Sequence, residues 1–487
     1  MPASRLEGNY PLTLACALAA LVPYILVASG AALYEPQVTA DIGVPTGSIS
    51  IIDALSTALY AFGALLAGDL INRLPQRPLF FACEAIFVIG WLVAACAFGT
   101  WSYGAGRLAA GLATGMLLVT ALPPAIRRFP PSRLPLTAAF VNLGLFGAIA
   151  AGPLVGGIAA AGHDWRLLYA IFAALGVLTV AVAWPVLPEI PPSNPDLAVD
   201  RSGLALGFAA TVLPFFASGA LRAYGFASPI VILPFLAGLG CLVALLLVEY
   251  HKEEPLAPVR KMWTTMPVIG VIVAMVGGGA FVTFMQITAQ VLLHAAGQPP
   301  LGAGLAFWPQ VVGVLIAASL LGLLFRTRFL PVLALFGMLV LMGGGALLAI
   351  QPAKPPVFPL SIAIGLMGIG AGATVSPGLF IAGFALPSKI LGRIFALVEL
   401  VRSNADFILS PVMLSLAKAS SGTPDMGRIH LAIWITVAIS AAGTLGCVLL
   451  FALGGRGLVK PDLVGWLKRD QVAVDSPALA QAVSKKA

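Results

Sequence analysis

Three charged residues share one face of a long apolar run near the end of the chain: Glu399, Arg402 and Asp406, spaced i, i+3 and i+7. A charge at membrane depth costs roughly 2.5–3.5 kcal/mol or more, so it usually has a partner or a task. The trio carries net −1, which leaves one carboxylate to hold a proton; the alternative is a self-neutralised structural network. A second face, in the run 48–71, carries Asp53, Ser56, Thr57 and Tyr60, and Arg107 lies at a similar depth at the start of the run 102–123. An arginine there would hold Asp53 ionised until substrate or conformation changes; a static ion pair is the bland counterpart. A polar stripe of Thr283, Gln286, Gln290 and His294 follows at i, i+3, i+7 and i+11 and is expected to face a cavity. Near the outer end, His294 could titrate at physiological pH, although a lone histidine is more often structural. Glu35, at the outer end of the first run, completes the acids considered for proton handling, while Glu84 is read as structural or snorkelling. The chain has no G-x-x-x-x-G-K-[ST] loop, no Ser/His/Asp triad and no metal cluster, and Cys16, Cys83, Cys96, Cys241 and Cys447 stand singly. The chain therefore shows no bond-making chemistry and calls for no cofactor, and energy would have to come from an ion gradient or from the substrate's own gradient.

These residues sit on elements that composition defines. Hydrophobic residues make up 60% of the 487 and charged ones 9%, against roughly 25% charged in a soluble domain; mean hydropathy is +1.00. The apolar runs are continuous, not the ten-residue alternations of a transmembrane barrel. They give fourteen spans: 11–35, 48–71, 78–98, 102–123, 136–160, 167–188, 203–221, 227–249, 264–294, 301–325, 329–350, 357–386, 391–416 and 429–454. The first is too long, and lacks a cleavage site, for a signal peptide. With the first terminus cytoplasmic, about 20 of the 27 Lys and Arg fall on cytoplasmic loops and 5 outside, the positive-inside pattern. The same bias accounts for the net charge of +8 without nucleic acid. Two connections stand out: a Pro- and Asp-rich stretch from Pro188 to Ser202, read as a flexible linker, and the charged run from Glu249 to Lys261. They bracket two helices, dividing the chain into a six-helix bundle (1–188), a linker with two inserted helices (189–262), a second six-helix bundle (263–455) and a polar, mobile cytoplasmic tail (456–487). Two bundles that rock about a central site fit this all-α membrane plan.

Four stretches carry a resemblance. Gly68-Asp69-Leu70-Ile71-Asn72-Arg73-Leu74-Pro75-Gln76-Arg77 is similar to the major facilitator signature G-x-L-a-D-r-x-G-r-k, with Asn72 for the usual Asp and Pro75 for the usual Gly. Arg107-x-x-x-Gly111-x-x-x-Gly115 resembles the family's second motif. Gly152-Pro153-Leu154-Val155-Gly156-Gly157 matches G-P-x-x-G-G of its antiporters. Gly297 to Gly304 followed by Pro309 looks like the G-x-s-p-l-x-A-G…P stretch of fourteen-helix drug:proton antiporters, and Asp164-Trp165-Arg166 resembles their W-R turn. The resemblance covers nearly all of residues 10–455. It implies export of a lipophilic or amphipathic compound in exchange for protons. The short loops and lack of large domains look bacterial, which would place the chain in an inner membrane. It links Arg107 to proton handling, Arg402 to an n-x-x-R pattern, and the signature's acid, whose place Asn72 takes in this chain, to a loop latch.

One departure is large: alignment on Pro36 puts Val27 where the family's first span carries an acid. Either Asp53 and the trio have taken over that role, or coupling is absent, as in a lipid or metabolite exporter or an uncoupled facilitator. A membrane enzyme would need a clustered nucleophile or metal site, and a sensor an appended soluble domain; neither is visible. Gly152, Pro153, Gly156 and Gly157 are expected to act mechanically, because proline removes a helix hydrogen bond and glycine permits close packing. The partners expected are the lipid bilayer, a small-molecule substrate and protons, with a monomer as the working unit.

Overall fold

A computed structural model describes residues 7–192, 194–417, 425–454 and 457–479. The first bundle comprises α1 (Tyr10–Ala19), α2 (Val22–Ile42), α3 (Thr46–Arg73), α4 (Gln76–Ala95), α5 (Thr100–Arg127), α6 (Leu134–Gly162) and α7 (Trp165–Val186). The first span is split because Pro23, second residue of α2, lacks the N–H that would have continued the ladder from α1. Next come α8 (Arg201–Tyr224), α9 (Pro229–His251) and a single turn, α10 (Val259–Met262). The second bundle holds α11 (Thr265–Gln290), α12 (Pro300–Leu305), α13 (Trp308–Leu324), α14 (Leu330–Ala349), α15 (Val357–Phe384), α16 (Leu391–Leu416) and α17 (Met426–Leu453), and a short α18 (Leu463–Arg469) follows. Among the described residues the sole β feature is a bridge between Thr264 and Ala478.

Thirteen helical stretches among the described residues are long and apolar enough to cross a membrane, with α1 and α2 counted together. The expected fourteenth is α16, 26 residues long. Its charges, not its length, keep it out of that set. Side chains such as Leu178, Leu233 and Leu247 lie exposed on the outside, as a helical bundle in lipid requires.

Within the first bundle α3 and α4 pack on α5, and α2 on α6; within the second α15 packs on α11, α13 and α14. The bundles meet along α6 with α12 and α13, and along α3 with α16. The inserted helices sit on the second seam. Phe215 of α8 stacks on Phe407 of α16 at 4.5 Å, and the Ser218 hydroxyl donates to the Phe407 carbonyl at 2.6 Å.

The segment 188–202 is pinned at both ends, contrary to a flexible linker. Gln76 N–H donates to Ile190 O at 3.1 Å and Asn194 N–H to Asn72 O at 2.8 Å. Asp200 caps α8 and accepts from Lys252 Nζ at 2.6 Å. Burial pulls the Asp200 carboxyl upward, but the Lys252 ammonium and the Gly203 N–H outweigh it and hold it below its usual range. Burial likewise pulls Lys252 down, and Asp200 and Glu249 raise it on balance.

The tail also departs from expectation. Residues 457–479 form a strap under the second bundle, with Trp466 fully buried and its indole N–H on Leu386 O at 2.9 Å. Ala473 N–H donates to Phe384 O at 2.8 Å and Thr265 N–H to Pro477 O at 3.1 Å. An aromatic side chain and free backbone edges in an otherwise polar segment gave it something to bury. The end of the tail, 480–487, and residues 455 and 456 lie outside the described residues. Both ends of the described chain lie on one side of the bundles, called below the terminal face.

Candidate functional site

Helix α16 sets its three charges on one face turned inward. Arg402 is bidentate on Glu399, with Nε to Oε2 at 3.1 Å and Nη2 to Oε1, and its Nη1 donates to Asp406. Ser403 Oγ also donates to Glu399 Oε1 at 3.0 Å. Glu399 and Asp406 are 5% and 4% exposed. One Asp406 oxygen, Oδ1, has no hydrogen-bond partner among the described residues and faces Gly278 of α11, where a Cβ would crowd it. One cation between two buried carboxylates leaves a single negative charge to compensate, and a proton on Asp406 would do so.

The structure brings Asp53 and Arg107 together. Arg107 Nη2 donates to Asp53 Oδ1 at 2.9 Å, with side chains 1% and 20% exposed. Three aromatic rings surround the guanidinium: Trp91 at 5.6 Å, Tyr24 at 5.8 Å and Tyr169 at 6.0 Å. Cation–π attraction from such a cage offsets part of the cost of burying the guanidinium, and Asp53 supplies its counter-charge. Ser56 ties the pair to its scaffold, accepting from the Tyr24 hydroxyl at 3.0 Å and donating to Arg107 O at 2.7 Å. Tyr169 continues outward in hydroxyl contacts with Tyr103 at 3.1 Å and Tyr34 at 3.3 Å.

Tyr60 joins the two ionic groups. Its ring stacks on Tyr24 at 5.7 Å and 13°, and its hydroxyl is directed at Glu399 across the bundle interface. Thr57 turns its hydroxyl back to Asp53 O at 3.0 Å. Val27, at the place of the family's first-span acid, is buried among apolar side chains. Glu35 is half-buried near the far end of α2.

The expected polar stripe is divided. Thr283 is fully buried and spends its hydroxyl on Gly279 O at 2.6 Å, so it lines no cavity. Gln286 accepts from Ser410 of α16 at 3.1 Å. Beyond the half-buried Gln290, α11 gives way to a π-helical turn, Val291–Ala295, which swings His294 to the exposed end of the helix.

The glycine motif splits between two seams. A Cβ at Gly152 or Gly156 would strike α2, at Ser29 and Gly30, inside the first bundle. A Cβ at Gly157 would strike Pro300 and Leu301, and one at Gly304 would strike Pro153 O, between the bundles. At the terminal face Gly68 of α3 faces Ala396, and Gly392 faces Val119, Ile71 and Pro123, so the start of α16 is wedged against α3 and α5. The loop after α3 is tied within its own bundle: Arg73 pairs with Asp69, Asn72 Nδ2 donates to Gly68 O at 2.9 Å, and Arg77 donates to Trp184 O at 2.6 Å. Asp164 caps α7 through Leu167 N–H, and Arg166 donates to Ala95 O and Ala97 O, both at 2.8 Å.

Sequence reasoning missed the cage and one inter-bundle clasp. Asn142 of α6 donates to Gly372 O and accepts from Ser376 Oγ of α15, both at 2.9 Å and fully or nearly buried. A lone asparagine in the middle of an apolar span was the available signal.

Residues 14–202 match the family model for the Major Facilitator Superfamily. An uncharacterized MFS-type transporter, YubD, of Bacillus subtilis (strain 168) is 28% identical over 386 residues, 77% of this chain and 74% of that protein. A multidrug resistance protein B homolog of Mycobacterium tuberculosis is 25% identical over 320 residues, 64% of this chain; the match spans only 58% of that relative's length. The crystal structure of a POT family transporter in complex with 5-aminolevulinic acid superposes with a TM-score of 0.67 at 12% identity, covering 92% of this chain and 99% of that one. That likeness concerns the fold alone.

Proposed function

We propose that this chain, which belongs to the major facilitator superfamily, is a secondary active transporter that exports a lipophilic or amphipathic small molecule in exchange for protons. The observation that carries the reading is the α16 trio: two buried carboxylates share one arginine at the bundle interface and leave one charge for a proton. In the outward exchange, a proton arriving from the far side neutralises the trio while the bundles close around an empty cavity. Release toward the terminal face restores the charge and readies the site for substrate. Tyr60 and the Asp53–Arg107 pair give the first bundle a way to sense that charge. The terminal face is then cytoplasmic, in keeping with the concentration of Lys and Arg on its loops. Export is one way to confer the multidrug resistance for which the mycobacterial relative is named.

Val27 favours a second reading, an uncoupled facilitator or a lipid or metabolite exporter, because the usual first-span acid is missing. Proteoliposomes with a pH-sensitive dye inside, given lipophilic cations, neutral compounds and anions outside, distinguish the two. Substrate-triggered proton movement, lost in Asp406→Asn, supports exchange. Substrate movement with no proton movement in the unaltered protein refutes it.

A further inference from the structure

Helix α4 turns one column of side chains into the first bundle: Phe80, Glu84, Phe87 and Trp91, spaced i, i+4, i+7 and i+11 and all but fully buried. Three are aromatic; the fourth is a carboxylic acid. Glu84 is 0% exposed, so it does not snorkel. Neither of its oxygens has a hydrogen-bond partner among the described residues, so it does not tie helices together either. The titratable groups around this column are Cys16 of α1, Tyr24 of α2 against Trp91, Cys83 on its own helix, Arg107 of α5 beyond Trp91, and Tyr169 of α7 against Trp91, with Arg77 and Arg128 beside Phe80 on the pocket wall. Among the described residues no cation meets the carboxyl, and a lone carboxylate in such surroundings is costly to bury. A proton on Glu84 would remove that cost.

A pocket approaches it on one side. This pocket, at the terminal face between α1, α4 and α5, is lined by Thr13, Cys16, Gln76, Arg77, Phe80 and Thr120 among others. Glu84 lies behind its wall, one helical turn beyond Phe80. On the other side Phe87 and Trp91 meet at 6.0 Å, and Trp91 lies at 5.6 Å from the Arg107 guanidinium that holds Asp53. The acid thus stands between a polar-lined pocket and the ion pair of the same bundle.

We propose that Glu84 is a proton-binding site inside the first bundle, filled and emptied through the α1–α4–α5 pocket at the terminal face and not through the space between the bundles. Release passes the proton to water in the pocket and leaves a carboxylate; uptake reverses this and restores the neutral acid. Its part in transport rests on the proton-exchange reading, whereas its protonation does not.

The test takes the full-length protein in liposomes. Infrared spectroscopy reads the carbonyl band of a buried protonated acid, and a hydrophobic carbodiimide with peptide mass analysis reads which acid it is. Glu84 is expected to be labelled at neutral pH, its band to disappear in Glu84→Gln, and both signals to respond to pH on the terminal face. Thr13→Leu, which plugs the pocket, should slow that response severalfold. An unlabelled Glu84, a band unchanged in Glu84→Gln, or a response to the opposite side alone overturns the proposal, and the band on the unaltered protein decides even if the variant misfolds. In transport, Glu84→Gln should shift the pH profile of substrate-driven proton movement; an identical profile removes Glu84 from the cycle. Were the unaltered protein to move substrate without protons, the exchange reading would fall, while labelling and band would still decide whether the pocket serves Glu84.

Discussion

Asp53→Asn leaves the Arg107 guanidinium, 1% exposed, without its counter-charge. Removing one partner of a buried pair costs about 3–5 kcal/mol. Two features here point to the low end. The Asp53 side chain is 20% exposed, and the three rings around the guanidinium persist, each worth about 0.5–1 kcal/mol. The expected loss is about 3 kcal/mol, and Arg107→Gln, which strands Asp53, should cost a similar amount. The double variant carries no buried charge in this place, so it should be about 2 kcal/mol more stable than the sum of the single losses predicts. Unfolding of the purified protein in mixed micelles, followed by loss of helix signal as denaturing detergent is titrated, measures all three. Single effects that add to within about 0.5 kcal/mol would refute the ion pair and the role built on it. Independently, full proton coupling in Asp53→Asn would take Asp53 out of the exchange.

Tyr60→Phe keeps the stack on Tyr24 and removes the hydroxyl aimed at Glu399; it should cost about 1 kcal/mol or less yet shift the pH profile of transport, and an unshifted profile would separate the two ionic groups. Gly157→Leu should block transport in a folded protein, because the added side chain enters the seam between bundles, whereas Gly156→Leu should lower stability by forcing α2 from α6; thermal unfolding and uptake in parallel tell the seams apart. Trp466→Ala should cost about 3–5 kcal/mol locally and free the strap, seen as faster hydrogen exchange at Thr265, Met266, Ala473 and Val474 and as proteolysis after residue 457. The contact of Asp200 with Lys252 has two pH limits. The lowered carboxyl stabilises above its unfolded value and loses that contribution as pH falls through its folded one, and the raised ammonium does the reverse at high pH. Hydrogen-exchange protection at residues 200–203 should therefore hold from about pH 4 to about pH 10.4 and fade outside; a loss near neutrality would contradict it.

The sequence by itself determined the helices, because crossing a bilayer demands long apolar runs and their ends are marked by charge, proline and glycine. The boundaries read from it fall within a few residues of those observed for most spans, and α16 was legible despite its charges because its apolar flanks continued on both sides. The face shared by Glu399, Arg402 and Asp406 follows from helical spacing alone, and so does the similar depth of Asp53 and Arg107. What a residue meets across a bundle does not follow, since local spacing carries no information on which helices are neighbours. Only the tertiary structure put Tyr24, Trp91 and Tyr169, from three helices, around one arginine, and Tyr60 opposite Glu399. It alone divided the glycine motif between a fixed seam and the seam between bundles, and a π-helical turn broke the stripe from Thr283 to His294 that ideal periodicity predicts. It also docked the tail through Trp466 and left Glu84 with no hydrogen-bond partner among the described residues. A short polar segment reads as free until the groove that accepts its one large side chain is known, and an acid in an apolar span reads as snorkelling or structural until every neighbouring helix has been placed.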